Sequence, residues 1–425
     1  MICPHLIRIE ENSSTEVEIQ LSDRDRRLLS QFKPGPNGDL VIEELKNSVR
    51  IRAFSSVGSV RFDTFEIQIH PKIAKEHIRV IQMIGLTRGV DLLRRFKQHP
   101  TLNTNDYSLF DLIILLLVEE AEQLIRNGLL ASYREEEDLL PMMRGRLLVD
   151  RQMLDRFGVL DRVHCRFDEL TMDIAENQLL ATALSSCTSL ASSQLLRNRV
   201  QRVLGDLQLQ CSQLDVAIHQ PRPIYYDRLN QHYRVAHELC WLVLSRTGIK
   251  DFYANGQTKC FSFLINMSKL FEEFIEAILR KLFNRDGCKV IRQCHSPSVI
   301  RDALTGETYS SVIPDVRLFQ SDGTGYCIDA KYKLYDQSKI SNADIYQLFL
   351  YAFAYASEIS QRRSVLIFPS ETNEPIKHQL SIRCGDGSVG WVTGIGVHIP
   401  TVIDEIESNS YSSIKQSILE ALLSA

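Results

Sequence analysis

The sequence predicts a multidomain α+β protein, and three observations lead to this prediction. Short runs of alternating polarity, such as Phe65–His70, predict strands between residues 1 and 75. Apolar residues at helical spacing, clearest over Tyr107–Asn127, predict helices through the middle of the chain. From about residue 250 the two patterns mix. The 425 residues are enough for two or three domains.

We divide the chain into a β-rich N-terminal module at 1–105, a mainly helical middle domain at 106–250 and a C-terminal α/β domain at 251–425. The N-terminal module is expected to be a small antiparallel structure whose last strand ends at Pro71. In the middle domain, the acidic stretch Arg134–Asp138 is predicted to be a solvated loop. Arg144-Gly145-Arg146 fits either a surface turn or a phosphate-contacting turn, and the sequence assigns no role to either arginine.

Composition excludes several classes of protein. Apolar content of 44%, charged content of 24% and a net charge of −4 are typical of a soluble globular protein. Contact with nucleic acid is therefore expected to be local or supplied by a partner. Ten singly scattered cysteines predict reduced thiols in a cytoplasmic protein. We expect no membrane association, because the longest apolar run, Leu112–Val118, is too short to span a bilayer.

The stretch Ser310–Lys333 carries the strongest chemical signal. Two apolar runs flank the turn-forming segment Ser321–Gly325, which predicts a β-hairpin. A turn centred in that segment puts Asp315 opposite Asp329, and such cross-strand neighbours have Cβ atoms about 5 Å apart. Two carboxylates at that separation can bind one hard cation, Mg²⁺ or else Mn²⁺. Lys331 shares a strand face with Asp329, where it can orient water or neutralise a phosphate.

The hairpin motif alone is a weak signal, since D-x-K patterns arise by chance and, on the pattern alone, a surface hairpin with solvated charges is the favoured explanation. Pro314-Asp315 followed by Asp329-Ala-Lys331 nevertheless resembles the motif of the PD-(D/E)xK nuclease superfamily. The neighbouring segments favour the functional interpretation over the surface hairpin.

A helix precedes the hairpin, with an N-cap predicted at Ser268. At 100° per residue, Glu272 falls at the edge of its apolar stripe. A carboxylate there can lean over a neighbouring sheet edge and contact a metal ion or water. The alternative is that Glu272 is one of several solvated acids on this helix.

A second helix follows the hairpin and is capped at Ser341 or Asn342. Gln347 and Tyr351 are four residues apart and share one face, so we expect them to support the site or an adjacent phosphate. The segment Arg363–Phe368 is then predicted to be a buried strand. This order of elements is typical of an α/β core of the restriction-endonuclease type.

Motifs along almost the whole chain resemble those of the McrC family, the nuclease subunits of McrBC modification-dependent restriction systems. The matching segments are Val57–Val60, Ile67–Lys72, Arg144–Arg146, Phe167–Leu170, Glu176-Asn177, Arg228–Asn230, Tyr233, Leu270–Glu272, Pro314-Asp315, Asp329–Lys333 and Tyr346-Gln347.

This resemblance implies that the N-terminal half docks into a McrB-type AAA+ ring and stimulates its GTP hydrolysis. The C-terminal domain would cut double-stranded, modified DNA. GTP would enter only through the partner, and this chain has no G-x-x-x-x-G-K-[ST] motif of its own. Asp315, Asp329 and Glu272 would hold Mg²⁺ beside Lys331.

Two other functions remain open at this point. One is a stand-alone repair or recombination nuclease, which the large non-nuclease half argues against. The other is a non-catalytic adaptor that activates an NTPase, which the intact Asp315, Asp329 and Lys331 argue against.

Overall fold

The computed structural model describes the chain in two compact units. One unit comprises residues 1–110 and 258–425, and the other comprises residues 111–257. The described residues are 5–31, 39–93, 107–159, 161–213, 224–246, 261–283, 287–293, 300–320, 323–336, 338–356, 362–372, 377–385, 387–408, 410 and 412–423. Both helices and strands run through the chain, so the predicted α+β class is confirmed.

The N-terminal segment is β-rich, as the sequence predicts. Its elements are β1 (His5–Glu10), β2 (Ser14–Val17), α1 (Asp23–Gln31), β3 (Leu40–Glu44), β4 (Val49–Ala53), β5 (Ser56–Arg61), β6 (Phe65–His70) and α2 (His77–Arg88). The expectation of a purely antiparallel module is wrong, because β1 pairs with β6 in parallel. The alternation of apolar residues predicts each strand but carries no information about its partner's direction.

The second unit is mainly helical, with one small sheet. The elements along this part of the chain are α3 (Leu109–Asn127), β7 (Ser132–Leu140), β8 (Arg146–Leu147), α4 (Val149–Asp155), β9 (Val163–Thr171), α5 (Ala175–Leu190), α6 (Gln194–Gln208), a 3₁₀ turn (Gln231–Tyr233) and α7 (Arg234–Arg246). Each of the described helices is too short or too polar to cross a membrane.

The acidic stretch Arg134–Asp138 is part of strand β7, so the predicted solvated loop is wrong. β7 pairs antiparallel with β9, and this register puts Glu137 opposite Arg166. The Arg166 guanidinium lies 2.6 Å from the Glu137 carboxylate. Opposite charges facing each other across two strands stabilise a pairing that the acidic strand alone does not suggest.

A buried amide holds one end of this small sheet to the helices. Asn177 on α5 donates hydrogen bonds to the carbonyls of Leu130 and Met172, which flank β7 and β9. The Tyr233 hydroxyl donates to the Asn177 carbonyl and accepts from the Leu130 backbone N–H. Two of the motif positions singled out in the sequence, Asn177 and Tyr233, therefore have a structural explanation inside the second unit.

The C-terminal segment contains the remaining elements. They are β10 (Phe261–Asn266), α8 (Met267–Phe283), β11 (Lys289–Arg292), β12 (Ile300–Arg301), β13 (Thr308–Ser310), β14 (Val316–Phe319), β15 (Gly325–Ala330), α9 (Asn342–Tyr355), β16 (Arg363–Pro369), β17 (Lys377–Cys384), β18 (Gly387–Val397), α10 (Ile399–Glu407) and α11 (Ser412–Leu423).

Six of these strands form one sheet in the order β11-β14-β15-β16-β18-β17. β15, β16 and β18 run parallel at its centre, and antiparallel strands flank them on both sides. The central strand β16 is almost completely buried. Helix α9 packs against β15, β16 and β18, whereas α8 packs against β11 and β15. The predicted buried strand Arg363–Phe368 is confirmed.

Strand β10 links the C-terminal segment to the N-terminal module, since it completes the sheet β1-β6-β5-β10. These residues fall within the predicted C-terminal domain, 251–425, but no strand was predicted there. The structure groups both segments in one compact unit. The three-part division remains a prediction about function.

Gly58 allows strands β5 and β10 to pair at close distance. Its φ is +143°, and a Cβ atom there would lie 2.0 Å from the Phe263 carbonyl oxygen. Only glycine combines this backbone conformation with so close an approach of the neighbouring strand. The Val57–Val60 motif is thus a packing requirement of the N-terminal sheet.

We expect Gly58→Ala to lower the free energy of unfolding by about 2–4 kcal/mol, because backbone strain and steric overlap add. Chemical denaturation of the purified chain measures this change. Gly385→Ala is the matched control, since Gly385 also has positive φ but no atom lies within 4 Å of its added Cβ. It should cost about 1 kcal/mol. Equal losses in the two variants would contradict the close-approach explanation.

Candidate functional site

Two aspartates face each other at the end of the β14–β15 pair. Val316 is opposite Ile328 in this antiparallel ladder, and one further step puts Asp315 opposite Asp329. The Asp315 carboxylate also accepts a 2.9 Å hydrogen bond from the Ala330 backbone N–H. The predicted register is confirmed. The predicted turn residues at 321 and 322 lie outside the described residues.

The Asp329 carboxylate is buried without its full set of partners. Its side chain is 1% exposed, and Lys331 Nζ lies 3.0 Å from its Oδ2 atom. Neither oxygen accepts a hydrogen bond of standard geometry from the described residues. A buried carboxylate left in this state is costly unless another group satisfies it.

The electrostatics of the site reflect crowding of negative charge. Burial, followed by the neighbouring Asp315 carboxylate, raises the pKa of Asp329 to about 7. Burial and then Asp315 also raise the pKa of Glu272, which brings the α8 carboxylate into the same electrostatic neighbourhood. Burial opposes the charged form of Lys331, but the neighbouring Asp329 and Asp315 carboxylates together favour it, and the lysine pKa is raised. The site therefore favours an additional positive charge.

The donor set fits a hard divalent cation. Asp329 offers unsatisfied carboxylate oxygens, and oxygen ligands suit Mg²⁺ and Mn²⁺. Among the described residues, no group of three or more His, Cys, Asp and Glu side chains is arranged to hold an ion. The protein would thus supply part of the coordination shell, as is usual for Mg²⁺, with water or substrate phosphate completing it.

Helix α9 holds the segment that leads into Asp315. Gln347 Nε2 donates a 2.5 Å hydrogen bond to the Tyr351 hydroxyl, which donates to the Ile313 carbonyl at 3.0 Å. Burial, followed by the Asp329 charge, raises the pKa of Tyr351 to about 12, so the hydroxyl keeps its proton. The prediction that Gln347 and Tyr351 share one helix face is confirmed, and the structure adds the hydrogen bond between them.

The sequence analysis missed Tyr355, whose hydroxyl donates to the carbonyl of Val312. Its signal was the further step of four residues beyond Tyr351 on the same helix. Together the two tyrosines hold consecutive carbonyls just ahead of Pro314-Asp315.

The predicted cap at Ser268 is wrong, because α8 begins at Met267 and the Asn266 side chain accepts the Lys269 N–H. Strand β10 runs directly into the helix, so the cap falls on the last strand residue. The predicted cap at Ser341 is confirmed, since its hydroxyl accepts the Asp344 N–H at 3.2 Å.

The turn at Arg144-Gly145-Arg146 lies in the second unit. The Arg144 guanidinium is 4.1 Å from the centre of the Phe167 ring and 3.6 Å from the Glu169 carboxylate. Gly145 has φ +68°, and a Cβ there would lie 2.4 Å from the Arg166 carbonyl oxygen. These contacts give the turn a structural explanation and leave the arginines half-exposed.

Comparison with known proteins provides the family. The family model described as "McrBC 5-methylcytosine restriction system component" matches residues 51–369. The chain belongs to this McrBC family. No curated protein matches it.

Two solved structures from Thermococcus gammatolerans resemble the McrBC-family chain described here. A refined half-complex from a tetradecameric assembly of McrB AAA+ hexamers with bound McrC matches with TM-score 0.68 and 18% identity, covering 96% of this chain and 100% of that one. The cryo-EM structure of the McrBC complex matches with TM-score 0.49 and 18% identity, covering 65% of this chain and 88% of that one. The first match shows a shared fold.

The raised pKa of Asp329 predicts a pH-dependent penalty. Its folded-state pKa of about 7 exceeds the ordinary 3.8, so the folded protein binds this proton more tightly than the unfolded chain. Stability is therefore lost as pH rises from about 4 to about 7. In EDTA, Asp329→Asn should remove this loss and become more stable than wild type above pH 7, by on the order of 2–4 kcal/mol.

Denaturant unfolding at pH 5 and pH 8 measures the difference. Asp344→Asn is the control of opposite sign. Burial opposes its charge, but hydrogen bonds from Ser341, Tyr335 and Lys333 lower the pKa of Asp344, so its contribution is present near neutral pH and lost on acidification. A destabilising effect of Asp329→Asn that grows with pH would contradict the crowding of charge.

Proposed function

We propose that this chain is the Mg²⁺-dependent DNA endonuclease subunit of a McrBC-type restriction system, built on a PD-(D/E)xK core. It would cleave modified double-stranded DNA together with a GTP-hydrolysing AAA+ partner whose hydrolysis it stimulates. One observation carries the proposed chemistry: the buried, unsatisfied Asp329 carboxylate faces Asp315 and has Lys331 Nζ at 3.0 Å. Family membership supports the biological system.

Asp315 and Asp329 would hold the metal ion, with the Ala330 carbonyl as a further ligand. Glu272 would contact the ion through water, since no three carboxylates among the described residues are arranged to hold it directly. When bound, the ion supplies Lewis acidity and charge neutralisation to the scissile phosphate. Lys331 remains an ammonium near neutral pH because its pKa is raised. It can therefore orient an attacking water or stabilise negative charge on phosphorus oxygens, but it cannot take the proton from water.

The remaining residues preserve this geometry. The Ala330 N–H fixes the Asp315 carboxylate, and Tyr351 fixes the Ile313 carbonyl two residues earlier. The Gln347 amide orients the Tyr351 hydroxyl through their 2.5 Å hydrogen bond and leaves part of its side chain free for an adjacent phosphate.

The partner belongs to the proposal because of the family and the matched complex. A chain in the solved assembly of McrB AAA+ hexamers with bound McrC shares the fold of this chain. The small sheet and α4 of the second unit also expose large apolar side chains, among them Tyr133, Met142, Leu154 and Phe157. Such a concentration of exposed apolar side chains is typical of a protein–protein interface.

The two activities should separate by mutation. In the presence of a McrB-type ring, GTP and Mg²⁺, Asp329→Ala is expected to reduce DNA cleavage by about 10²–10³-fold or more, because the metal loses a ligand. Stimulation of GTP hydrolysis should persist. Cleavage of a methylated plasmid and release of phosphate from GTP, measured on the same mixture, provide the two readouts.

Two neighbouring lysines give a matched comparison. Lys331→Ala should abolish cleavage, whereas Lys333→Ala should retain it within about tenfold, since Lys333 Nζ pairs with Asp344 at 2.9 Å and is half-exposed. Unchanged cleavage by Asp329→Ala would reject the assignment of the site. Cleavage by wild-type chain alone would favour the stand-alone nuclease, and GTPase stimulation without cleavage would favour the adaptor.

Metal binding can be measured without DNA or partner. Mn²⁺ added to the wild-type chain and followed by electron paramagnetic resonance should bind at one site. Asp315→Asn and Asp329→Asn should each weaken this binding by about 10-fold or more, through loss of a charged ligand. Glu272→Gln should weaken it less. Asp336→Asn is the control, because its carboxylate accepts from Ser370 and the Glu371 N–H instead; equal weakening there would count against the assigned ligands.

A further inference from the structure

A buried carboxylate in the N-terminal module reaches the strand end that carries the proposed site. Glu11 is 0% exposed and follows β1. One of its oxygens, Oε1, accepts the backbone N–H groups of Lys72 and Ile73 at 2.8 and 2.9 Å. Those residues follow β6, the parallel neighbour of β1. Glu11 therefore joins the carboxyl ends of two N-terminal strands.

The third donor to the same oxygen comes from the C-terminal segment. The Tyr332 hydroxyl donates to Glu11 Oε1 at 2.9 Å across 321 positions of sequence. Tyr332 is itself buried and directly follows Lys331. The second Glu11 oxygen has no hydrogen-bond partner among the described residues. The Tyr332 hydroxyl is therefore one of three donors to this buried carboxylate, and the only side chain among the three.

Tyr332 also touches the helix that carries Glu272. Its ring centroid lies 5.7 Å from that of Phe271, which is fully buried on α8. Helix α8 continues from β10, whose pairing with β5 anchors it to the same N-terminal module. The Met267 N–H at the start of α8 donates to the Ser55 carbonyl in that module. The end of β15, which carries Asp329, and helix α8, which carries Glu272, are therefore fixed against the same N-terminal module.

Regular strand geometry ends at Ala330, one residue before Lys331 of the proposed site. The Lys331 N–H still donates to the Ile367 carbonyl, but the chain beyond it leaves the sheet. Without the hydrogen bond from Tyr332 to Glu11, residues 331–333 would be held to the sheet only by this backbone bond and by their other side-chain contacts. A displacement of about 1 Å of a positioned group can cost two orders of magnitude in rate.

We propose that Tyr332 and Glu11 are positioning residues, which hold Lys331 and the end of β15 in register with α8 by tying them to the N-terminal module. This inference rests on the proposed nuclease function for its consequence, but the link itself does not. Neither residue touches the substrate phosphate in this arrangement. A change in the N-terminal module would be transmitted to the site through this contact.

Amide hydrogen exchange of the full chain tests the link directly. The Ala330 and Lys331 N–H groups have their own acceptors, so their exchange rates report order at the strand end. Tyr332→Phe removes one hydrogen bond to a buried carboxylate and should accelerate exchange at these two amides by about tenfold. Exchange within β16 and β18 should stay unchanged.

Tyr335→Phe is the matched control in the same loop. Its hydroxyl also donates to a carboxylate, that of Asp344 in the first turn of α9. This variant should accelerate exchange at the start of α9 and leave Ala330 and Lys331 unaffected. With the McrB-type partner, Tyr332→Phe should lower the rate constant for cleavage by about tenfold or more, while Tyr335→Phe changes it less.

A double-mutant comparison identifies Glu11 as the anchor. Glu11→Ala should accelerate exchange at Ala330 and Lys331, and it should add nothing in the Tyr332→Phe background. If Glu11→Ala does not fold, the Tyr332→Phe experiment alone decides the proposal. Unchanged exchange at the two amides overturns it, and equal acceleration across the whole sheet overturns it in favour of a general structural role. Absence of cleavage by the wild-type complex rejects the proposed function instead, because exchange is read without DNA.

Discussion

The antiparallel register of β14 and β15 is the constraint on which the rest of the site depends. It sets Asp315 and Asp329 opposite each other, where burial strengthens their mutual repulsion. Lys331 offsets part of this repulsion and leaves the Asp329 oxygens incompletely satisfied. An arrangement that costs stability in this way is typical of a functional site rather than of a surface hairpin.

The surrounding helices hold this register in different ways. Helix α9 acts through side chains, because Tyr351 and Tyr355 bind the carbonyls of Ile313 and Val312 ahead of Asp315. Helix α8 acts through its backbone attachment, because it continues from a strand of the N-terminal sheet. The N-terminal module therefore shares a structural unit with the proposed nuclease core.

In the second unit, by contrast, the motif residues have structural roles. Its motif residues Asn177 and Tyr233 are buried and hydrogen-bonded to the backbone at the base of a small sheet. Gly145 allows a close approach of the backbone to Arg166. Shared motif residues here maintain structure, while the exposed apolar side chains nearby form the proposed partner surface.

The sequence by itself determined the features that depend on local periodicity and short spacing. These are the class of the fold, three strands of the six-stranded sheet (β14, β15 and β16), the opposition of Asp315 and Asp329, and the shared face of Gln347 and Tyr351. Alternation and helical spacing are local properties, so one chain segment is enough to reveal them. The acidic strand β7 was not predicted, because its stabilising partner, Arg166, lies in another strand. Only the tertiary structure decided the parallel pairing of β1 with β6, the entry of β10 into the N-terminal sheet and the contact of Glu11 with Tyr332. These contacts join segments far apart in sequence, and no local pattern encodes which distant residues meet.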